Sequence, residues 1–397
     1  MENNYALRTA PSALLKTPYG TKDFLPKEAA VKRIIENRLR KLFASYGYEE
    51  VVTPTMEFLE TLTMSGGTNE QNLFKIIDQK NRTLALHHEM TTPIARLAVS
   101  RLQESTLPLK LSYNTSVFRF RQNQPQRQCE FYQAGVELLG VSNAVADAEI
   151  IALAAQSLQY CGLSEFKICL GQVEFANGLM EQFNLPLDNR NKIKSAIERH
   201  DMVELEKIVE GIEGAKVLAE IPKLHGGIEI LNRAGNLVDN KKSYMALQNL
   251  AEIYDLTKIY GVDDKIIFDL GIIRDFEYYT GMVFEVYAPN VGYSLAGGGR
   301  YDDMLKDFGL ACPATGFALG IERILQAREL QGVDENFSAK DVYIGYHESQ
   351  VGTAIKRALE LREVGKVVEL ALTPQTFEEA TKISLEKNFS EMIYFGN

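Results

Sequence analysis

Apolar residues recur three and four positions apart in "LPKEAAVKRIIENRLRKLFASYGYEEV", which opens at Pro26. That spacing, with proline at the first turn, predicts an amphipathic helix. "EVVTPTMEF" follows as a strand interrupted by Pro54, which has no amide to donate and so belongs at a sheet edge or strand end. "TTPIARLAVSRLQES" reads as a second helix, and strands dominate from about Leu109 to Leu139. "VADAEIIALAAQSLQYCGL" is again helical. From about 175 to 260 the pattern stays helical, broken at "NLPLDN" and "HGGIE", and reads as a helical insertion between two strand-rich blocks. Strands return in "KIIFDLGIIRDFEYYTGMVFEVYAP". "GYSLAGGGRYDDMLKDFG" then predicts strand, glycine turn and helix, and "CPATGFALGIERILQAREL" predicts strand then helix.

Near Ser338 the rhythm changes. "DVYIGYHE", "VGTAIKRALELREVG", "KVVELALT", "TFEEATKISLEKN" and "EMIYFGN" alternate strand and helix, the signature of a small parallel sheet. The pattern divides the chain into a mixed α+β core over 1–328 and a short α/β unit over 338–397.

Composition narrows the function classes. The chain has 397 residues, 45% of them hydrophobic, enough for a large buried core. Its net charge of −10 argues against a large nucleic-acid footprint, which needs a positive surface. The four cysteines (Cys129, Cys161, Cys169, Cys312) form no C-x-x-C pair and have no histidine at ligand spacing, so they read as reduced, mostly buried thiols of a cytoplasmic protein with no metal site. No run of 18 apolar residues predicts a membrane span, and the N-terminus has no signal-peptide core. His87 and His88 read as polar loop or strand residues.

The chemistry concentrates in "FRFRQNQPQRQCEFYQAGVELLG", Phe118 to Gly140. Side chains alternate along a strand, so Cys129, Phe131, Gln133 and Glu137 share one face while Val136 and Leu138 share the other. A half-exposed sheet face tolerates such polar residues. An ionised carboxylate beside a glutamine also makes an acceptor cradle for an ammonium group. Arg119 and Arg121 share a face as well. They are either a solvated edge or a site for a carboxylate or phosphate, which the planar guanidinium suits.

This hairpin resembles the second signature motif of class II aminoacyl-tRNA synthetases, specifically the histidyl-tRNA synthetase type. Six other segments resemble that family in the same order: "TPYGTKDFLP", "VVTPTMEF", "LALHHEMTTPIAR", "IIRDFEYYTGMVFEVY", "LAGGGRYDDML" and "GFALGIER". The resemblance implies a class II synthetase-like antiparallel sheet flanked by helices, and a dimer built on the segment around Pro54. It also implies a histidine pocket of Glu89, Thr91, Arg119, Gln133, Glu137, Arg274, Tyr278, Tyr279 and Tyr301. Free histidine carries an ammonium, a carboxylate and an imidazole. Glu89, Gln133 and Glu137 supply acceptors, Arg274 pairs the carboxylate, and the tyrosines flank the ring. Strict alternation would put Tyr278 and Tyr279 on opposite faces, so a bulge or turn must re-aim one of them.

The chain departs from an active synthetase in three places. Arg121 stands where the family has the glutamate that recognises the adenine amino group, and arginine has no acceptor. The loop "QNQPQRQC" is poorer in basic residues and has Cys129 where the family has a second arginine, although Arg127 and Arg323 persist as parts of a degenerate ATP site. The C-terminal unit is shorter than the family's anticodon-binding domain, and its acidic residues slightly outnumber the basic ones. Histidine contacts kept while nucleotide and tRNA contacts are lost resembles the family of ATP phosphoribosyltransferase regulatory subunits. That resemblance implies a catalytic-subunit partner, L-histidine as effector, self-association within a larger hetero-oligomer, and neither cofactor nor tRNA. A divergent histidyl-tRNA synthetase and a stand-alone histidine-binding module are the alternatives. Arg121 predicts no histidine-dependent ATP–pyrophosphate exchange. Exchange at rates on the order of 1 per second or more in a radiolabel assay would show instead that adenine is read without the glutamate.

Overall fold

The computed structural model describes residues 15–64, 70–120, 128–210, 212, 214–272, 278–335 and 340–397. The chain forms two compact units, Met1–Val333 and Asp334–Asn397.

The first unit is built on a nine-stranded sheet. Its strands in chain order are β1 (Glu49–Glu50), β5 (Leu109–Phe118), β6 (Glu130–Leu139), β7 (Lys167–Gln172), β8 (His225–Gly226), β9 (Ile266–Asp269), β10 (Met282–Tyr287), β11 (Ala296–Arg300) and β12 (Ala314–Gly320). They lie in the order β1-β5-β6-β12-β11-β10-β7-β9-β8. All pairings are antiparallel except β1 with β5 and β7 with β9. A separate small sheet pairs β2 (Met56–Phe58), β4 (Thr83–Leu86) and β3 (Lys75–Ile77) in that order, antiparallel throughout. Pro54 falls between β1 and β2, where the chain leaves one sheet for the other, as a residue without an amide donor requires.

Helices α1 (Pro26–Ser45) and α4 (Ala144–Tyr160) pack on one face of the large sheet. Ile35, Leu39, Leu42 and Phe43 form the buried stripe of α1. α4 is apolar almost all round because neighbours cover it on all sides, and Asn143 starts it by accepting from the Ala146 amide at 2.9 Å. On the opposite face lie α3 (Thr91–Arg101) and α10 (Met304–Asp307), with Met90, Ile94, Ala95, Ala98, Leu111, Tyr113, Tyr301 and Leu305 in one buried cluster, while Leu62 of α2 (Leu59–Thr63) packs with Leu73 and with Ala85 of the small sheet. Between β7 and β9 the chain forms α5 (Val173–Gln182), α6 (Leu187–Glu198), α7 (Met202–Glu210), α8 (Glu229–Gly235) and α9 (Lys241–Ile259), with the short strand β8 before α8. α11 (Ile321–Leu330) follows β12.

The glycine run differs from its expected turn. Gly297, Gly298 and Gly299 lie inside β11, paired on both sides with β10 and β12. A Cβ on Gly298 would sit 2.2 Å from the Gly316 carbonyl oxygen, and one on Gly299 would sit 2.6 Å from that of Met282. Glycine is needed here for close approach, a use that composition alone does not separate from a turn.

The second unit is a parallel three-stranded sheet, β13 (Lys340–Tyr346), β14 (Val368–Leu370) and β15 (Phe389–Phe395), in the order β14-β13-β15. Helices α12 (Val351–Glu363) and α13 (Phe377–Glu386) make its crossovers. Thr376 and Glu379 close a capping box at the start of α13, which the "TFEE" spelling anticipates.

One buried ion pair ties the helical layer to the glycine strand. Arg300 Nε and Nη2 donate to the Asp147 carboxylate at 3.1 and 2.8 Å, and Nη1 donates to the Val141 carbonyl and to Asp302. The Arg300 and Asp147 side chains are 8% and 2% exposed. Removing one partner strands the other charge, so Asp147→Ala is expected to destabilise the first unit by about 3–5 kcal/mol in urea unfolding. A loss under ~1 kcal/mol would show that the pair is solvated.

Candidate functional site

The ten-residue strands β5 and β6 pair from Leu109 with Leu139 to Phe118 with Glu130. Tyr113 therefore lies opposite Gly135, and Leu111 opposite Glu137. β12 continues the rows, with Gly316 opposite Glu137 and Ala318 opposite Gly135. Alternation places Gln133 and Glu137 on one face, as the sequence predicts, and the neighbouring glycines clear the floor in front of them. A Cβ on Gly316 would stand 2.0 Å from Glu137 Oε2, and one on Gly135 would stand 2.5 Å from the Tyr113 hydroxyl.

The result is a cavity of about 80 Å³. Such a space holds several waters, which suits a small polar molecule better than a packing defect. Its wall includes Glu89, Thr91, Arg119, Gln133, Glu137, Tyr278, Tyr279, Tyr301 and Arg323. These nine come from three stretches of chain, residues 89–91, 119–137 and 278–323. Arg121, Arg127 and Arg274 lie outside the described residues. The tyrosine problem resolves by position: Tyr278 and Tyr279 precede β10, in irregular backbone free of strict alternation, and both face the cavity. Their rings lie 4.9 Å apart, and Tyr278 meets Tyr301 edge-on at 5.7 Å.

Glu137 is the centre of the site. It is 2% exposed, and it accepts from the Thr91 hydroxyl at 2.9 Å and from the Tyr301 hydroxyl. Burial pushes its carboxyl up to about 8, with a smaller push from nearby Glu89, against the opposing pull of the two hydroxyl donors. Burial, joined by the Glu137 charge, holds the Tyr301 and Tyr113 phenols well above their ordinary range, so both stay neutral donors.

Glu89 has a role that the sequence did not disclose. Its two carboxylate oxygens accept from the Thr91 and Thr92 amides at 2.6 and 2.9 Å. It thus bridges the open amides at the start of α3, where the helix dipole favours negative charge, and it sets Thr91 against Glu137. Arg119 donates from Nε to the His88 carbonyl at 2.8 Å, and its guanidinium lies 5.1 Å from the Phe131 ring. Arg323 donates to the Ser294 carbonyl at 2.5 Å beside the Tyr293 ring. Gln133 is 9% exposed, and its Oε1 has no hydrogen-bond partner among the described residues. An unpaired buried acceptor is costly, so this atom is a ready acceptor for a donor placed in the cavity. His87 and His88 lie in the loop between β4 and α3, as one of the two sequence readings expected, but they are buried, 1% and 6% exposed, and burial lowers the His88 imidazole so that it stays neutral. No cluster of metal-ligating side chains occurs among the described residues.

Sequence reasoning missed Tyr113, Met90 and Phe317 in the wall. Tyr113 was within reach of the same alternation rule, since it shares the face of β5 that opposes Gly135.

A family model described as "Histidyl-tRNA synthetase" matches residues 20–324. An ATP phosphoribosyltransferase regulatory subunit from Moorella thermoacetica is 42% identical over 372 residues, 92% of this chain and 94% of that protein. The chain belongs to the ATP phosphoribosyltransferase regulatory subunit family. A second such regulatory subunit, from Desulforamulus reducens, is 39% identical over 95% of this chain and 94% of its own length. The crystal structure of an ATP phosphoribosyltransferase regulatory subunit/histidyl-tRNA synthetase from Bacillus halodurans aligns with a TM-score of 0.87 at 31% identity, covering 97% of this chain and 99% of that one. Histidyl-tRNA synthetase from Nostoc sp. PCC 7120 aligns with a TM-score of 0.80 at 22% identity, covering 94% and 89%, which establishes the shared class II synthetase-like fold. In this regulatory-subunit chain the cavity lies within the span of the family model.

The Glu137 carboxyl sets a pH dependence. Between its ordinary value of 4.5 and about 8, the native state holds a proton that the unfolded state has released. The native state binds more protons, so stability falls as pH rises through that window, by at most ~1.4 kcal/mol per pH unit. Glu137→Gln lacks the titrating group. Its stability relative to wild type is expected to improve steadily from pH 5 to pH 8 in ligand-free urea titrations. A difference that stays flat across that range would mean that Glu137 is ionised in the empty cavity.

Proposed function

We propose that this chain is the non-catalytic regulatory subunit of a short-form ATP phosphoribosyltransferase, needed for the activity of a separate catalytic subunit, and that it senses L-histidine in the cavity. Histidine feedback on the first step of histidine biosynthesis then passes through this subunit. The observation that carries the reading is the cavity built around Glu137, in a chain whose relatives bear the regulatory-subunit name.

Glu137 and the unpaired Gln133 Oε1 accept from the ammonium or an imidazole N–H, with Glu89 and Thr91 holding the wall. Tyr278, Tyr279 and Tyr301 flank the imidazole. Arg119 and Arg274 meet the carboxylate. A cation entering the cavity favours the ionised form of Glu137, so histidine binding releases a proton below about pH 8. The same assignment makes the chain a cytoplasmic protein without synthetase activity. Arg121 takes the place of an adenine acceptor, and an acidic C-terminal unit is a poor surface for tRNA. No helix among the described residues is long and apolar enough to cross a membrane. A two-fold dimer around Pro54 is the unit to which catalytic subunits add. A divergent histidyl-tRNA synthetase is the second reading, favoured by the match to that family model and by the persistence of Arg323 in the cavity wall.

Glu137→Gln keeps shape and an acceptor for Tyr301 but removes the charge. Losing one side of a buried charged contact costs about 2–5 kcal/mol, which is roughly 30-fold to several-thousand-fold in affinity. Calorimetry should find histidine binding in wild type, on a particle of twice the chain mass by light scattering, and binding weakened by that factor in the variant. With the catalytic subunit added, the variant should still activate catalysis but lose this subunit's share of histidine inhibition. Wild-type affinity in the variant, or a monomeric wild type, would contradict the corresponding part of the proposal.

A further inference from the structure

The cavity wall and the small sheet are one continuous piece of chain. β4 ends at Leu86, residues 87–90 follow, and α3 begins at Thr91. The intervening backbone is held on both sides. The His87 amide donates to the Thr55 carbonyl at 3.1 Å, and the Phe118 amide donates to the His87 carbonyl at 3.0 Å. Arg119 of the cavity donates to the His88 carbonyl, and Glu89 bridges the first amides of α3.

The small sheet is also tied back to α3 by a second, non-local connection. Arg96 sits midway along α3, one turn after Thr92, and its Nε and Nη2 both donate to Glu57 Oε1 at 2.9 and 2.8 Å. Glu57 lies on β2 and is 6% exposed, while the Arg96 side chain is 27% exposed. Glu57 is the middle residue of the edge strand β2 and pairs with Ala85 of the central strand β4, which in turn pairs with Lys75 of β3. Its neighbours Met56 and Phe58 point the other way and are exposed. A carboxylate turned inward between two exposed apolar residues, meeting a guanidinium fork, is a directed contact rather than a surface pair.

We infer that Glu57 and Arg96 are positioning residues for the cavity: they clamp the small sheet to α3, fix Thr91 against Glu137, and make the small sheet move with the occupancy of the cavity. α3 is packed on the large sheet through Ile94, Ala95 and Ala98, and the clamp, a turn and a half beyond the start of the helix, ties that packed helix to the small sheet. A ligand engaging Glu89, Thr91 and Arg119 then acts on a rigid body that includes β2, β3 and β4. The small sheet is thereby assigned as the first element outside the cavity to respond to the effector. The ligand part of this inference rests on the reading of the cavity as a histidine site.

Amide hydrogen exchange followed by mass spectrometry tests it in two arms on the full chain. In ligand-free protein, Glu57→Gln should speed exchange at Thr91 and Thr92, the amides bridged by Glu89, while exchange in β7, β9 and β10 stays as in wild type. In wild type, saturating L-histidine should slow exchange in β2–β4. Glu57→Gln should weaken histidine binding about fivefold or more and abolish that slowing. Glu57→Arg combined with Arg96→Glu should restore both. If wild type fails to bind histidine, the ligand reading falls while the first arm still decides the positioning role. Unchanged exchange at Thr91 and Thr92 overturns the inference. So does histidine binding that leaves β2–β4 unaffected, or a uniform rise in exchange across the whole sheet, which would mark the pair as general stabilisation.

Discussion

The carboxylate of Glu137 has to lie in the interior, and much of the surrounding architecture serves that requirement. A buried carboxylate without donors is costly, and this one has two hydroxyl donors from distant parts of the chain, Thr91 and Tyr301. Bringing them together needs α3 to start against β6, which Glu89 secures through the helix amides. It also needs the segment after β11 to reach back over the sheet, which the Arg300–Asp147 pair and the Asp302 link to the Ala314 amide secure. Beneath the carboxylate, Gly316 leaves the only space a side chain would otherwise fill. Each of these supports would be unremarkable alone, and together they keep an acidic group at a depth where its protonation answers to what enters the cavity.

On the proposed function, that arrangement lets a synthetase-like frame be retained for sensing. Recognition of a small cationic ligand depends on the central strands β5, β6, β11 and β12, whose glycines and register are fixed by the sheet itself. Chemistry on a nucleotide would depend on groups beyond that floor, and the sequence departs from the family pattern at Arg121, which no strand of the floor contains. A site can lose such functions without disturbing the register that builds its floor. The converse does not hold, because a side chain at Gly135, Gly298 or Gly316 would collide with backbone.

A large part of the fold was legible in the chain. Helical periodicity located α1, α3, α4 and the helices between β7 and β9, strand alternation put Gln133 and Glu137 on one face, and the alternating C-terminal pattern gave a parallel unit. These are local properties, set by which residues within a few positions can bury a face together. The glycine run was placed as a turn between elements, with close backbone approach as the other use of glycine, because a glycine that permits a positive φ and a glycine that permits close strand approach are identical in one dimension.

The sequence by itself determined the element order, the family to which the chain belongs, and nine side chains that do line one cavity. Only the tertiary structure decided what those side chains do to one another. Glu89 turned out to be a helix-start bridge, the Tyr278 and Tyr279 rings converge because they precede β10 rather than lie in it, and Glu57 reaches Arg96 across the gap between a small sheet and a helix. Contacts between groups tens of residues apart leave no period in the sequence. They are set by sheet register and by the desolvation of charges, and both exist only once the chain has closed on itself.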